Sequence, residues 1–400
     1  MMGERVITFL DIVGDEDKFF SAYFGKQTLY RPIGITGDPR QILSIAEMDE
    51  IVHQEGLRSS LYRMLGNGVP AAGDLLTTKL EMRREGKSID DAVDAEKIYA
   101  HFRAGKTLIH NGLNLTRPNL RALAGSMTQR FAAKSEVVAF LTPAGQQGAT
   151  THSDPTDVYI IQLAGTKRWQ VWPTPQVRRM GDFKGSFAGL PDPVLDASLQ
   201  PGDVLYIPHN TPHSARAEGN VSLHLTVVAG PRMWSQHLLT LVQEIVHNGA
   251  EFWDTPYLDD PARDQAAELT DKIEQLIDRL RKVSATAELE RASEDGRAFR
   301  GVRQRRLFQE MAAIDSVSAD TRLLAVDGAV TCHGVMDGTA RVTILGNTMA
   351  MPEAAAAALR SASTVRPFPA GQLLRGDDTH QALTLAKQLL RLGALQIATG

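Results

Sequence analysis

The sequence predicts an α+β protein in which an antiparallel β sandwich or barrel lies between helical segments. Three observations predict it. From about residue 136 onward, short β-rich runs ("SEVVAFLTP", "DVYIIQLA", "KRWQVWP", "DVLYIP" and "VSLHLTVVAG") are separated by Gly, Pro and Asn, the pattern of a sheet made of many short strands. After Pro231 the strands stop, and apolar residues recur at helical spacing. Finally, 400 residues exceed one typical domain, so two or three are expected. The changes of texture place them at 1–231, 232–300 and 301–400.

In chain order, "DEDKFFSAYFGKQTLYRP" sets Phe19, Phe20, Tyr23 and Phe24 at helical spacing behind acidic first-turn residues, with Gly25 as the stop. "SIAEMDEIVHQEG" opens with Ser44 as N-cap and Glu47 three places on, a capping box. The strands follow. "MWSQHLLTLVQEIVHNG" then puts Leu238, Leu241, Val242 and Ile245 on one face, and "AAELTDKIEQLIDRLRKV" does the same with Leu269, Ile273, Leu276 and Leu280. These helices are expected to pack on each other or across a subunit boundary. In the last hundred residues Pro352 opens an alanine-rich helix, "THQALTLAKQLLRLG" is a helix stopped by Gly393, and "ALQIAT" is a short strand.

A hydrophobic share of 43% with 22% charged residues fits a globular protein, and a net charge of −4 gives no reason to expect nucleic acid or an acidic membrane. Cys332, the single cysteine, cannot form an internal disulfide. Asp11 interrupts the N-terminal apolar stretch, and no run approaches the roughly 20 apolar residues that span a bilayer. A soluble cytoplasmic protein is expected.

Chemistry concentrates in "THSDPTDVYIIQLAGTKRWQVW", beginning at Thr151, where ionisable groups interrupt a strand-like run. Charge on a buried strand is costly without a partner, metal or ligand. Residues two apart on a strand share a side, so His152 and Asp154 present an imidazole and a carboxylate to one point. Fifty-nine residues after Asp154, "PGDVLYIPHNTPHSARA" supplies a strand, a Pro-rich turn and His213. Two histidines and a carboxylate form the facial triad of non-heme Fe(II) oxygenases. The plainer alternative is two loop or core histidines satisfied by backbone groups. Lys167 is read on a strand that returns through "LAGT" to pair with 157–162. There it would meet the far carboxylate of a dicarboxylate co-substrate, or else snorkel to the rim. Ser222, His224 and Thr226 share a polar strand face opposite Leu223, Leu225 and Val227, which suits co-substrate contact or hydrogen-bonded support. Thr142, ahead of Pro143, is placed to reach the same pocket. Asp157 and Asp203 are read as structural, and His209 as a solvated loop residue.

These residues resemble the JmjC-type double-stranded β-helix oxygenases, in particular the ribosomal oxygenase branch of the cupin superfamily. The resemblance runs through His152-x-Asp154, Asp157-Val158, Gln162, Gly165, Lys167 and Trp169, then Pro201-Gly202-Asp203, Tyr206-x-Pro208 and Pro212-His213. It extends to "FFSAYFGKQTLYRP", "AGKTLIHNGLN" and "VVAFLTPAGQQG". It implies a jelly roll over 1–231, a helical dimerisation region over 232–300 and a winged-helix-like module over 301–400. It further implies Fe(II) on His152, Asp154 and His213, 2-oxoglutarate held at its C5 carboxylate by Lys167, and O2 as oxidant. The activity implied is hydroxylation of a protein side chain, an arginine or histidine of a ribosomal protein, with release of succinate and CO2. One departure is "PHNTPH", with His209-Asn210 where relatives usually have Pro-Gly. The C-terminal module carries ten basic against eight acidic residues, no footprint for DNA.

Two other functions stay open on the sequence. The same chemistry would serve a peptide or small natural product. Alternatively, the fold would act as a cupin-like binding protein without turnover, against which stand three ligands and a lysine kept together.

Overall fold

The computed structural model describes residues 5–398 apart from 55–56, 82–85, 177–188, 231–232, 257–263, 299–306, 327–328, 337, 346, 364–365 and 375–377. Pro231 and the residues on either side of the 300/301 boundary therefore lie outside the described residues. The chain divides into two compact units, 1–302 and 303–400.

In the first unit the strands are β1 (Leu29–Arg31), β2 (Tyr62–Gly66), β3 (Val69–Pro70), β4 (Thr77–Glu81), β5 (Ser88–Val93), β6 (Thr107–His110) and β7 (Ser135–Thr142). They continue with β8 (Asp157–Ala164), β9 (Lys167–Val171), β10 (Leu195–Leu199), β11 (Val204–Ile207), β12 (His213–Ala217) and β13 (Ser222–Ala229). An eight-stranded sheet runs β1-β11-β8-β13-β7-β6-β2-β3, and a second sheet runs β10-β9-β12. Every pairing is antiparallel. This is the large antiparallel sheet of a jelly roll, with helices covering one face.

Period two sorts the strand residues between two cores. On β8, Tyr159, Ile161 and Leu163 join the core shared with the helices, while Val158 and Ile160 join Trp169, Val171, Leu199, Leu205 and Ile207 in a second core between the sheets. On β13, Leu223, Leu225 and Val227 face the helical layer, which leaves Ser222, His224 and Thr226 on the inner side. Burying this many branched and aromatic side chains at ~25 cal/mol per Å² is what makes the register costly to slip.

The helical layer matches its sequence signals, with one change. Helix Ile45–Val52 has the Ser44/Glu47 capping box, Glu47 N–H donating to Ser44 Oγ and Ser44 N–H to Glu47 Oε2. The aromatic run is not one α-helix. A turn of helix, Glu16–Lys18, passes into a π-turn over Phe19–Tyr23. That wider turn seats Phe19 edge-on to Tyr206 with ring centroids 4.9 Å apart, while Phe24 stacks on Phe131. Helices Trp234–Asn248 and Gln265–Arg281 pack on each other, and Ala285–Ala298 packs on Pro118–Phe131.

Two expectations for the sheets need correction. β8 and β9 are not a paired hairpin: β9 pairs with β10 and β12, so the chain changes sheets at Gly165. Gly165 sits at φ +63°, and a Cβ there would lie 2.1 Å from the Val221 carbonyl oxygen. Only glycine permits so abrupt a step. His152 and Asp154 also lie on no regular strand; they precede β8, with His152 held by an isolated bridge to His213.

The second unit has its own core, including Leu323, Val342, Ile344, Leu359, Leu389 and Leu395. The expected helices are Glu353–Ser361, after Pro352, and Thr379–Arg391, ended at Gly393, and the last strand is Leu395–Ile397. Beyond the sequence expectation are a three-stranded meander, Val330–Met336, Thr339–Ile344 and Asn347–Pro352, and the strand Arg322–Ala325 that pairs with Leu395–Ile397.

Candidate active site

The site starts from the bridge that replaces a strand. His152 N–H donates to the His213 carbonyl (3.1 Å) and His213 N–H to the His152 carbonyl (2.8 Å). Such directly opposed antiparallel residues project side chains to the same side, and the two imidazole centroids are 4.4 Å apart. Asp154, two residues on, brings its carboxylate to 3.5 Å from His213 Nε2 and 3.9 Å from His152 Nε2. One donor atom from each of the three lies within 4.8 Å of the others.

Both imidazoles are oriented from behind. His152 Nδ1 is 2.7 Å from the Thr150 carbonyl and His213 Nδ1 is 2.9 Å from the Thr211 carbonyl. A carbonyl only accepts, so Nδ1 carries the proton and Nε2 keeps its lone pair facing Asp154. Burial above all, and then His152, lowers the His213 pKa to about 4, so this imidazole is neutral near pH 7. The His209-Asn210 departure leaves the ligand turn intact. Asn210 adopts the left-handed φ of +58° that glycine would take, and its N–H donates to the Asp154 carbonyl at 2.7 Å.

The inner face of β9 carries Lys167, Trp169 and Val171, alternating with the exposed Arg168. Lys167 Nζ donates to Thr142 Oγ1 (3.0 Å) and lies 3.4 Å from His224 Nδ1. Burial lowers its pKa to about 7. Burial, and then Lys167, lowers that of His224 well below the ordinary imidazole value. Neutral His224 can therefore accept from the lysine; its ring stacks on Phe140 at 4.8 Å. Among the described residues no carboxylate answers Lys167, and Trp169 Nε1 is buried without a hydrogen-bond partner.

His152, Asp154, His213, Lys167, His224 and Thr226 line one pocket. Thr142 enters it through Lys167. Ser222 is not a lining residue; its hydroxyl accepts from Gln162 Nε2 at 3.0 Å, beneath the site. Asp203 receives the Gln200 and Ile33 amides and the Tyr30 hydroxyl, and Asp157 receives the Tyr206 hydroxyl, all anchoring roles. Sequence reasoning missed Leu65, Thr107 and Ile109 as lining residues. Strand β6 is buried at every position, so no alternation marked which side chains face inward.

Residues 115–237 match the family model described as the JmjC domain. Over this stretch the chain is similar to JmjC domains. Curated relatives named bifunctional lysine-specific demethylase and histidyl-hydroxylase NO66 are similar to it. The Drosophila sechellia protein is 28% identical over 61% of this chain and 36% of its own length, and that of Drosophila mojavensis 34% over 56% and 25%. The Drosophila persimilis protein is 29% identical over 37% of this chain and 22% of its own length, so this chain spans only about a fifth to a third of these relatives. Among solved structures, a structure of the Escherichia coli ribosomal oxygenase YcfD with cobalt and 2-oxoglutarate aligns over 97% of this chain and 99% of that one. The TM-score is 0.53 at 18% identity, a likeness of fold.

Proposed function

We propose that this chain is an Fe(II)- and 2-oxoglutarate-dependent oxygenase that hydroxylates an arginine or histidine side chain of a ribosomal protein, with release of succinate and CO2. The observation that carries this is the convergence of His152, Asp154 and His213 within 4.8 Å, in a pocket that also holds a buried lysine. The donor set suits a divalent metal with open positions: two Nε2 lone pairs, one carboxylate and carbonyls fixing both rings. The similarity to relatives named histidyl-hydroxylase and to a structure of a ribosomal oxygenase supports the substrate class.

His152, Asp154 and His213 would hold the metal. Lys167 would hold the far carboxylate of 2-oxoglutarate, with Thr142 and His224 steering its ammonium. Bound Fe(II), with the oxoacid and O2, supplies the oxidising power to put oxygen into a C–H bond. The chain's own part is to orient the reactants and keep out water, for which Phe140, Val158, Ile160 and Ala215 form apolar walls. Succinate formation by Fe(II)-loaded protein on admission of O2 tests this reading, with His152→Ala as control. Turnover raised by a ribosomal-protein extract and lost in the variant is the expected result. Turnover without that rise would move the target to a peptide or small natural product. Binding of metal and 2-oxoglutarate without turnover would leave a cupin-like binding protein.

In this reading 1–231 is the catalytic domain, 232–300 a homodimerisation region and 301–400 a winged-helix-like module with no DNA contact, the whole acting in the cytoplasm. Among the described residues no helix is long and apolar enough to cross a membrane. Support for a dimer comes from Trp234, Leu238, Leu269 and Ile273, each 49–69% exposed on the paired helices. Leu238→Glu with Ile273→Glu is expected to halve the mass seen by light scattering. A monomeric wild-type protein at tens of micromolar would overturn the dimer.

A further inference from the structure

The loop between β7 and His152 is held from two sides. On one, Gly145 N–H donates to the Glu218 carbonyl and Ala217 N–H to the Gln146 carbonyl, tying it to the end of β12. On the other stands the two-residue turn of the β2–β3 hairpin. Asn67 N–H donates to the Gln147 carbonyl at 3.0 Å and Gly68 N–H to the Gly148 carbonyl at 2.7 Å. Both turn residues have positive φ, +48° and +80°. That is the geometry of an Asn-Gly turn between closely paired strands. The turn aims its free amides outward, and here they meet the loop.

What the loop carries makes this more than a surface contact. A Cβ on Gly68 would come within 3.2 Å of Thr150 Oγ1 and Cγ2. The Thr150 carbonyl is the acceptor that fixes His152 Nδ1. Next to it, a Cβ on Gly148 would lie 2.9 Å from Thr107 Oγ1, whose hydroxyl donates to Thr142, the partner of Lys167. Leu65, two residues before the turn, lines the pocket beside Gly148 and Ala149. One short segment, 147–150, therefore touches the machinery at both ends of the site, and the hairpin tip sets its position.

We infer that the β2–β3 turn, Asn67-Gly68, is a positioning element of the metal site: it clamps the 147–150 segment so that the Thr150 carbonyl holds His152 in its ligating orientation. The inference rests on reading His152, Asp154 and His213 as metal ligands. Neither turn residue touches metal or substrate; both act through Thr150. Outer partners of metal-bound histidines typically tune affinity by about 10–100-fold, and that is the scale expected here.

The test is Co(II) titration followed by its visible absorption, which needs no turnover. Wild-type protein must bind Co(II); failure there would remove the metal-site reading itself, independently of the clamp. Gly68→Val, strained at φ +80° and pressed against Thr150, is expected to weaken Co(II) binding by about tenfold or more. Asn67→Gly, which keeps the turn, is expected to bind as wild type does. Adding Thr150→Ala to Gly68→Val removes the side-chain atoms in the way and leaves the Thr150 carbonyl in place, but not the strain at φ +80°, so only partial recovery of affinity is expected. Thermal unfolding of each metal-free variant separates a displaced loop from a lost fold. Gly68→Val that stays folded and binds Co(II) like wild type would overturn the inference.

Discussion

Asp154→Ala is expected to abolish metal binding and to lower succinate formation by on the order of a thousandfold or more, a loss of ~4 kcal/mol. Of the three proposed ligands this one brings the negative charge, and its oxygens are the point on which both Nε2 atoms converge. The fold should survive. The carboxylate is about a third exposed, and the bond that holds the following turn comes from Asn210 N–H to the Asp154 backbone carbonyl, which alanine keeps. His213 is neutral without the carboxylate's help, so no buried charge is stranded by its removal. The unfolding temperature of the metal-free variant should therefore stay within a few degrees of wild type. The stabilisation that added Co(II) gives the wild type should disappear. A variant still stabilised by Co(II), or still turning over at the wild-type rate, would sink the assignment of Asp154.

How much of this was legible in the sequence depends on how local each cause is. The inner and outer faces of β13 could be read because Ser222, His224 and Thr226 alternate with Leu223, Leu225 and Val227, and period two is a local property. His152 and Asp154 could be paired by the same rule, although a bridge to His213, not a strand, puts them there. Lys167 lines the same pocket as His152, Asp154 and His213, but not as the hairpin partner of β8. Its strand crosses to the other sheet, a consequence of Gly165 fitting beneath the Val221 carbonyl, which no window of sequence displays. Ser222 looked equivalent to His224 on pattern alone; which of them is taken up by Gln162 depends on a bond across the sheet. The meander in 330–352 was missed because one of its turns lies at Leu345, which holds φ +53° without a glycine's freedom.

Lys167→Met is expected to move affinity and stability in opposite directions. The ammonium is buried, its neighbours are a threonine hydroxyl and a neutral imidazole, and burial lowers its pKa from 10.5 to about 7. Between those two values the native protein binds fewer protons than the unfolded chain. Wild-type stability should therefore rise as pH climbs from about 7 toward 10.5, and near pH 7 the buried lysine costs on the order of 4 kcal/mol. Methionine fills similar volume without a charge, so the variant should unfold at higher urea and lose that rise with pH. The same change removes the cation that would meet the far carboxylate of 2-oxoglutarate, and co-substrate binding should weaken by about a hundredfold, roughly the ~3 kcal/mol of a charge-assisted bond. In the wild type, binding should take up a proton above pH 7, because the carboxylate favours the charged lysine. Isothermal titration in buffers of different ionisation heat reads that uptake, and it should vanish in the methionine variant. Unchanged affinity would place the far carboxylate elsewhere. An unchanged slope of stability against pH between 7 and 9 would mean that Lys167 is charged and satisfied in the free protein, which its surroundings of Thr142 and His224 argue against.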